Sequence, residues 1–460
     1  MSSWEAYLNE NQKRYIDELK AFLRFPSISS LPQHEGDVKL AADWVADRLK
    51  TADIENVQTL ATGGHPVVYG NWLHAPGKPT IMIYGHLDVQ PADPIDLWTN
   101  PPFEPIVKDN RIWARGASDN KGNMFAALLG VEALLKTEGR LPVNIKFFFE
   151  GQEEIGSPQM PEFLPTQKNL FACDLIVSAD GAQWEEDQPS LVAGLRGLCA
   201  VQIDVQGARR DVHSGSYGGT FLNPIHELAR IIDTMRSPDG KVLVEGFYDS
   251  VRSLSDSERA QMATIPYAED EFKGEIGILE TAGEPGFTTY ERMWVRPTLD
   301  INGIWGGFQE EGLKTVIPSE THAKISCRLV PDQDPTTIAD LLIAHIKKHS
   351  SPAVRVNAYP IESKAEPYLV PADHPGNEAA AAVLKKLYGK DPYLIRMGES
   401  IPVCSIMLKI LNAYTINFAF GIKDENLHAP DEFFRLRSFH RSQKAYCMLL
   451  HELRERIATE

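Results

Sequence analysis

Cysteine is scarce in this 460-residue chain: five residues, at positions 173, 199, 327, 404 and 447, never in C-x-x-C spacing. That excludes a disulfide framework and a thiolate zinc site, and it reads as reduced thiols in a cytoplasmic protein. Long apolar runs are missing too; nothing approaches the roughly 20 residues that cross a bilayer, so no membrane association is expected. The N-terminus, MSSWEAYLNENQKRYIDELKAFL, lacks a basic stretch followed by an apolar one. Tyr15, Ile16, Leu19, Phe22 and Leu23 recur there at helical spacing, which predicts a surface helix rather than a signal peptide. Positive charge is the third shortage. Lys and Arg number 46 against 63 Asp and Glu, a formal net charge of -17. Nucleic acid is excluded as a partner, because phosphate backbones need clustered cations.

What is present is an ordinary globular composition, 43% hydrophobic and 24% charged, in a chain long enough for two or three domains. Over the first 190 or so residues, short apolar runs alternate with helical patterns, which predicts an α/β layer with a mainly parallel sheet. TIMIYG (80–85), VNIKFFF (143–149) and DLIVSA (174–179) are the clearest strands, and a helix is expected from about Lys121 with Met124, Leu128, Val131 and Leu135 on one stripe. From about Gly194 the pattern changes to β-α-β-α-β, as in CAVQIDVQG, NPIHELARIIDTM, AKISCRLVP, IADLLIAHIKKH and AVRVNAY. That order suits a small α+β domain with helices on one sheet face. The pattern divides the chain into 1–193, 194–362 and 363–460.

Each strand of the first part runs into an acid or a histidine just past its C-terminal end, where open α/β sheets bind ligands. IYGHLDVQP carries His86 and Asp88, RGASDNKG carries Asp119, FFFEGQEE carries Glu153 and Glu154, and SADG carries Asp180. Singly, each has a plainer reading: an H-x-D is usually structural, adjacent glutamates are usually solvated, and an Asp at a helix start is usually a cap. Repetition at successive strand ends is what points to a cation held by imidazole and carboxylate. Three carboxylates straight after Phe147, Phe148 and Phe149 also need positive charge beside them, since unpaired acids at a core edge are costly.

These motifs, H-x-D, G-x-x-D-x-K-G, E-G-x-E-E-x-G-S and S-A-D-G, together with DVHSGSYGG, TVIPSETHAKISCRLVPDQ, GESIP and the late histidine of ENLHAPDE, resemble those of the dinuclear zinc aminoacylase, carboxypeptidase and dipeptidase family. The similarity spans essentially the whole chain and is closest to the metallodipeptidase branch of carnosinases and cytosolic nonspecific dipeptidases. The resemblance implies two divalent ions per subunit, Zn²⁺ by default with Mn²⁺ or Co²⁺ admitted. It makes Asp119 the bridging ligand, with His86 and Asp180 on one ion and Glu154 and His428 on the other. A cis peptide at Asp119–Asn120 is also implied, and because His428 lies beyond the α+β segment, 1–193 and 363–460 would form one discontinuous catalytic domain with 194–362 inserted as a lid and dimerisation domain. Glu153 would be the general base and Asp88 would fix the tautomer of His86. His213 would reach from the inserted lid into a partner subunit's site in a homodimer and steady the oxyanion. Arg328, Thr315 and Ser400 would grip the substrate's C-terminal carboxylate. Relatives often read EGGSIP where this chain has Glu399 before Ser400, an extra acid that would disfavour anionic substrates or favour a basic residue. The role of Glu150 is left open. The implied activity is hydrolysis of small unblocked peptides; N-acyl amino acid deacylation or carboxypeptidase action are the alternatives, and a non-enzymatic scaffold or a dinuclear phosphoesterase fits less well.

Overall fold

The hydrophobic pattern is resolved into strands and helices in a computed structural model that describes residues 2–457. The chain divides into two compact units, one made of Met1–Ala193, Val370–Ile395 and Val403–Glu460, the other of Gly194–Leu369 and Arg396–Pro402. The second unit therefore runs on through Leu369 and takes in a short return segment around Ser400.

In the first unit, β1 (Glu55–Leu60), β2 (Val67–Trp72), β3 (Thr80–His86), β4 (Asn144–Glu150) and β5 (Leu175–Ser178) form a sheet with a sixth strand, Thr415–Asn417. The spatial order is β1-β2-β4-β3-β5 and then Thr415–Asn417. The pairings β3–β4, β3–β5 and β5 with Thr415–Asn417 are parallel, whereas β1–β2 and β2–β4 are antiparallel. Central position explains the aromatic run: β4 lies between β2 and β3, and Phe147, Phe148 and Phe149 are all fully buried, on both faces of the sheet.

Helix α1 (Ser3–Leu23) buries Tyr15, Leu19, Phe22 and Leu23 from the expected stripe. Helix α2 (Lys121–Glu138) differs from the expected amphipathic pattern, since every residue from Lys121 to Leu135 is buried. It is packed by α1 and by the C-terminal helix Leu436–Arg456 as well as by β3, so no face is left for water. Its approach to β3 is close enough that a Cβ added at Gly85 would lie 2.7 Å from the Met124 Cβ, which is why glycine precedes His86.

The second unit is a four-stranded antiparallel sheet of β6 (Gly197–Gln206), β7 (Thr298–Gly306), β8 (Glu320–Leu329) and β9 (Arg355–Ala365), in the order β7-β8-β6-β9. Period-two alternation puts Val201, Ile203, Ile325 and Cys327 on the face covered by α3 (Pro224–Asp233) and α4 (Pro335–His349), as the α+β pattern implied. All five cysteines are free, and among the described residues no helix is long and apolar enough to cross a membrane.

Candidate metal centre

The C-terminal edge of the first sheet gathers the acids and histidines into one cluster. His86 ends β3, Glu153 and Glu154 sit on a 3-10 turn three residues past β4, Asp180 follows β5 by two residues, and Asp119 lies just before α2. His428 comes from the turn after residue 422 and holds a left-handed backbone, φ 58°. The Asp119–Asn120 peptide is cis.

Asp119 is the meeting point. Its Oδ1 lies 3.1 Å from His86 Nε2 and its Oδ2 3.0 Å from His428 Nε2. On one side, ligand atoms of His86, Asp119 and Asp180 all fall within 4.8 Å of one another; on the other, those of Asp119, Glu154 and His428 do the same. His86 Nε2 is also 3.9 Å from Asp180 Oδ2, and His428 Nε2 is 3.3 Å from Glu154 Oε2. Glu153 stands beside the cluster with Oε2 4.0 Å from His86 Nε2.

Four carboxylates, of Asp119, Glu153, Glu154 and Asp180, converge here with the imidazoles of His86 and His428. Burial acts to raise the Asp119 carboxyl, but hydrogen bonds from His428 and His86 overcome it and hold it well below the usual carboxylate range. Burial first, and the charges of Asp180, Glu154 and Asp119 against the pull of His86, push Glu153 well above that range. Burial also lifts Asp180 to about 6, while hydrogen bonds to Asp119 and Glu154 raise His428 to about 10. The donor set, nitrogen and oxygen with no sulfur, fits hard or borderline divalent ions at both groups, with Asp119 common to the two.

Around the donors lies a supporting layer. Asp88 is fully buried, and its carboxylate accepts hydrogen bonds from the backbone N–H of Glu153 (3.2 Å) and of Glu154 (3.1 Å). His86 Nδ1 is nearer the backbone oxygen of Asp88 (3.1 Å) than its carboxylate (3.5 Å). Asp88 thus holds the glutamate turn at least as directly as it orients the imidazole. Glu150, left open by the sequence, accepts from Tyr84 Oη (2.7 Å) and Ser157 Oγ (2.9 Å), locking the loop that carries Glu153 and Glu154; burial pushes it up to about 7.

Two further residues escaped sequence reasoning. Buried Glu432 accepts from the backbone N–H groups of Gly116 (2.8 Å), Ser118 (2.9 Å) and Asp119 (3.1 Å) and from Arg115 Nη1 (2.8 Å), cradling the turn that presents Asp119. Gln90 donates to Glu154 Oε2 (2.9 Å). The only sequence signal for Glu432 was its place in HAPDE, four residues after His428.

The remaining site candidates, His213, Thr315, Arg328 and Ser400, belong to the second unit. Arg328 Nη1 donates to Ser400 Oγ at 3.0 Å, and Ser400 Oγ donates in turn to the Arg196 backbone oxygen at 2.6 Å. His213 is exposed, and its Nδ1 accepts from Gly215 N–H (3.0 Å). Thr315, also exposed, is tied to the His213 segment through its backbone oxygen, which accepts from Ser214 N–H at 3.0 Å.

Comparison with known proteins matches residues 82–452, which contain every metal-ligand candidate, to the family described as Peptidase family M20/M25/M40. Cys-Gly metallodipeptidase dug1 of Schizosaccharomyces pombe is 31% identical over 97% of this chain and 97% of its own length. Beta-Ala-His dipeptidase of Rattus norvegicus is 27% identical over 97% of this chain and 94% of its own. Among solved structures, an M20 family metallo-carboxypeptidase from Sulfolobus solfataricus superposes with a TM-score of 0.83 at 30% identity, covering 96% of this chain and 99% of that one.

Proposed function

The chain belongs to peptidase family M20/M25/M40, and from that premise we propose a metal-dependent dipeptidase that hydrolyses small peptides with a free C-terminal carboxylate. The observation that carries this reading is Asp119 held between two imidazoles, one on each carboxylate oxygen. Asp119 with His86 and Asp180 would hold one divalent ion, and Asp119 with Glu154 and His428 would hold the other. Zn²⁺ is the default occupant, with Mn²⁺ or Co²⁺ admitted by the oxygen-rich donors. Such a pair of ions supplies an acidified water and Lewis-acid polarisation of the scissile carbonyl.

The chain's own residues do the rest. The Glu153 carboxylate, beside the ligand set with Oε2 4.0 Å from His86 Nε2, takes the proton of the attacking water and passes it to the leaving nitrogen. Asp88 positions both glutamates through their backbone N–H groups and keeps His86 facing the ligand set. His213, whose Nδ1 accepts from Gly215 N–H, donates to the developing oxyanion. Arg328, Thr315 and Ser400 hold the terminal carboxylate, with the guanidinium as the principal anchor.

The second unit serves as inserted lid and dimerisation domain, 194–362 in the sequence division, and His213 acts in the partner subunit's site of a homodimer. The free thiols support a cytoplasmic setting. Carboxypeptidase action is a second reading, favoured by the whole-chain likeness to the Sulfolobus enzyme. A panel of Ala-Gly-type dipeptides, N-acetyl amino acids and longer peptides, each with Zn²⁺, Mn²⁺ or Co²⁺, separates them. Preferred turnover of dipeptides is expected. Stepwise C-terminal trimming of longer chains at higher kcat/KM would favour the carboxypeptidase, and turnover of N-acetyl amino acids alone would make it a deacylase.

A further inference from the structure

His428 stands on an irregular loop of the first unit, after residue 422 and before the strand Phe433–Arg435, which pairs antiparallel with Arg111–Trp113. Asn426, His428 and Asp431 all hold left-handed backbones there, φ 54°, 58° and 57°, so no ladder or helix sets the loop's course. The His428 side chain is 53% exposed against 1% for His86, and packing does correspondingly little to fix it. The loop's own bonds are local: Ala429 N–H donates to the Asn426 oxygen at 3.1 Å, and Asn426 Nδ2 to the Asp431 oxygen at 3.0 Å. Holding the imidazole 3.0 Å from Asp119 Oδ2 therefore needs a tie from outside the loop.

Two buried carboxylates flank His428 in the sequence, Glu425 and Glu432, and both meet Ser118, the residue before Asp119. Glu425 Oε2 accepts from Ser118 Oγ at 2.6 Å and from Ile422 N–H at 3.0 Å. Its Oε1 accepts from the N–H and the Nη1 of Arg435, at 3.1 and 3.0 Å. Glu432 takes the backbone N–H of the same serine at 2.9 Å, together with those of Gly116 and Asp119. The space around the hydroxyl is tight, since a Cβ added at Gly421 would lie 2.7 Å from Ser118 Oγ. The two bonds from Ser118 have different duties. The backbone bond to Glu432 helps to set the turn that presents Asp119. The hydroxyl bond to Glu425 reaches the start of the His428 loop, 307 residues further along the chain.

We propose, on the two-ion reading of the site, that Ser118 and Glu425 are positioning residues for the ion of Asp119, Glu154 and His428: their hydrogen bond clasps the His428 loop to the turn that carries Asp119. Removing the hydroxyl has a confined effect. Ser118→Ala keeps all three backbone N–H bonds to Glu432, so Asp119 stays in place. It also leaves Glu425 with three donors, Ile422 N–H and the two of Arg435, so the buried carboxylate is not stranded and the fold is kept. What loosens is the path from Asp119 to His428. The other ligand set is held elsewhere, His86 at the end of β3 and Asp180 two residues past β5.

Metal binding tests the clasp without relying on turnover. Zn²⁺ titrated into the full-length protein against a chromogenic chelator should show two ions in the wild type. In Ser118→Ala one ion should keep its affinity and the other should weaken by about 10- to 100-fold, the loss typical when a support behind a ligand is removed. Ser118→Thr, which keeps the hydroxyl, should restore most of it. Ser118→Ala should add nothing in a His428→Ala background, where that ion's ligand set is already broken, and should keep its effect in an Asp180→Ala background. Equal weakening of both ions, no weakening of either, or a full effect in the His428→Ala background overturns the clasp while the two-ion reading stands. A wild type that holds a single ion at saturation overturns both. If the metal results are as expected but no dipeptide is turned over, the dipeptidase reading fails and the clasp stands.

Discussion

Substituting Asp88 with asparagine isolates the layer behind the proposed ligands. The carboxylate is fully buried and accepts two backbone N–H groups, from Glu153 at 3.2 Å and Glu154 at 3.1 Å, with His86 Nδ1 at 3.5 Å. Asparagine keeps the shape but has only one acceptor oxygen, so whichever way the amide is turned its NH₂ group faces a donor. One hydrogen bond to a charged acceptor is lost, about 1.5–3 kcal/mol, or roughly 10- to 150-fold when expressed at the turn that carries Glu153. Disturbing a partner of a ligating histidine also typically weakens metal affinity by about 10- to 100-fold. The assay has two arms: metal affinity by competition with a chromogenic chelator, and kcat on a dipeptide at saturating metal. We expect Asp88→Asn to lose affinity and to keep a kcat deficit of at least about tenfold after metal saturation, because the glutamate turn is no longer held. Full recovery of kcat at saturating metal would confine Asp88 to orienting His86 and refute its hold on the turn.

The adjacent glutamates should fail differently. Glu153→Gln keeps metal and loses at least about 10²–10⁴-fold in kcat, whereas Glu154→Gln weakens metal binding; the reverse outcome exchanges base and ligand. Arg328→Ala should reduce kcat/KM about 10- to 150-fold on free-acid dipeptides and far less on their C-terminal amides, and equal wild-type rates on acid and amide would remove the carboxylate anchor. Mixing His213→Ala chains with Glu153→Gln chains should restore part of the activity that each homodimer lacks. No recovery after verified subunit exchange would place His213 in its own subunit's site or outside catalysis.

The strands and the acids at their ends were legible because both follow from local pattern: apolar runs of the right length, each with a polar residue one to five positions beyond. Asp119, His86, Asp180 and Glu154 are therefore grouped by the sequence alone, and His428 follows from the family resemblance. Partners that depend on distant pairing were not legible. Glu432 reaches Asp119 from more than 300 residues away, and nothing in HAPDE distinguishes a surface acid from one that accepts three backbone N–H groups. Asp88 was read through its nearest sequence neighbour, His86, although its shorter carboxylate bonds go to residues 65 and 66 positions on. The stripe on α2 failed for a similar reason. Periodicity reports one buried face, and here α1 and the C-terminal helix cover the others.

The central claim is that Asp119 joins two cation sites. Metal content per chain, measured by elemental analysis after loading and removal of loose ions, tests it most directly. Two ions are expected in the wild type, and substitution of Asp119 by alanine should leave less than one because both ligand sets lose a member. A single tightly held ion at saturation, or two ions retained by Asp119→Ala, would contradict the account.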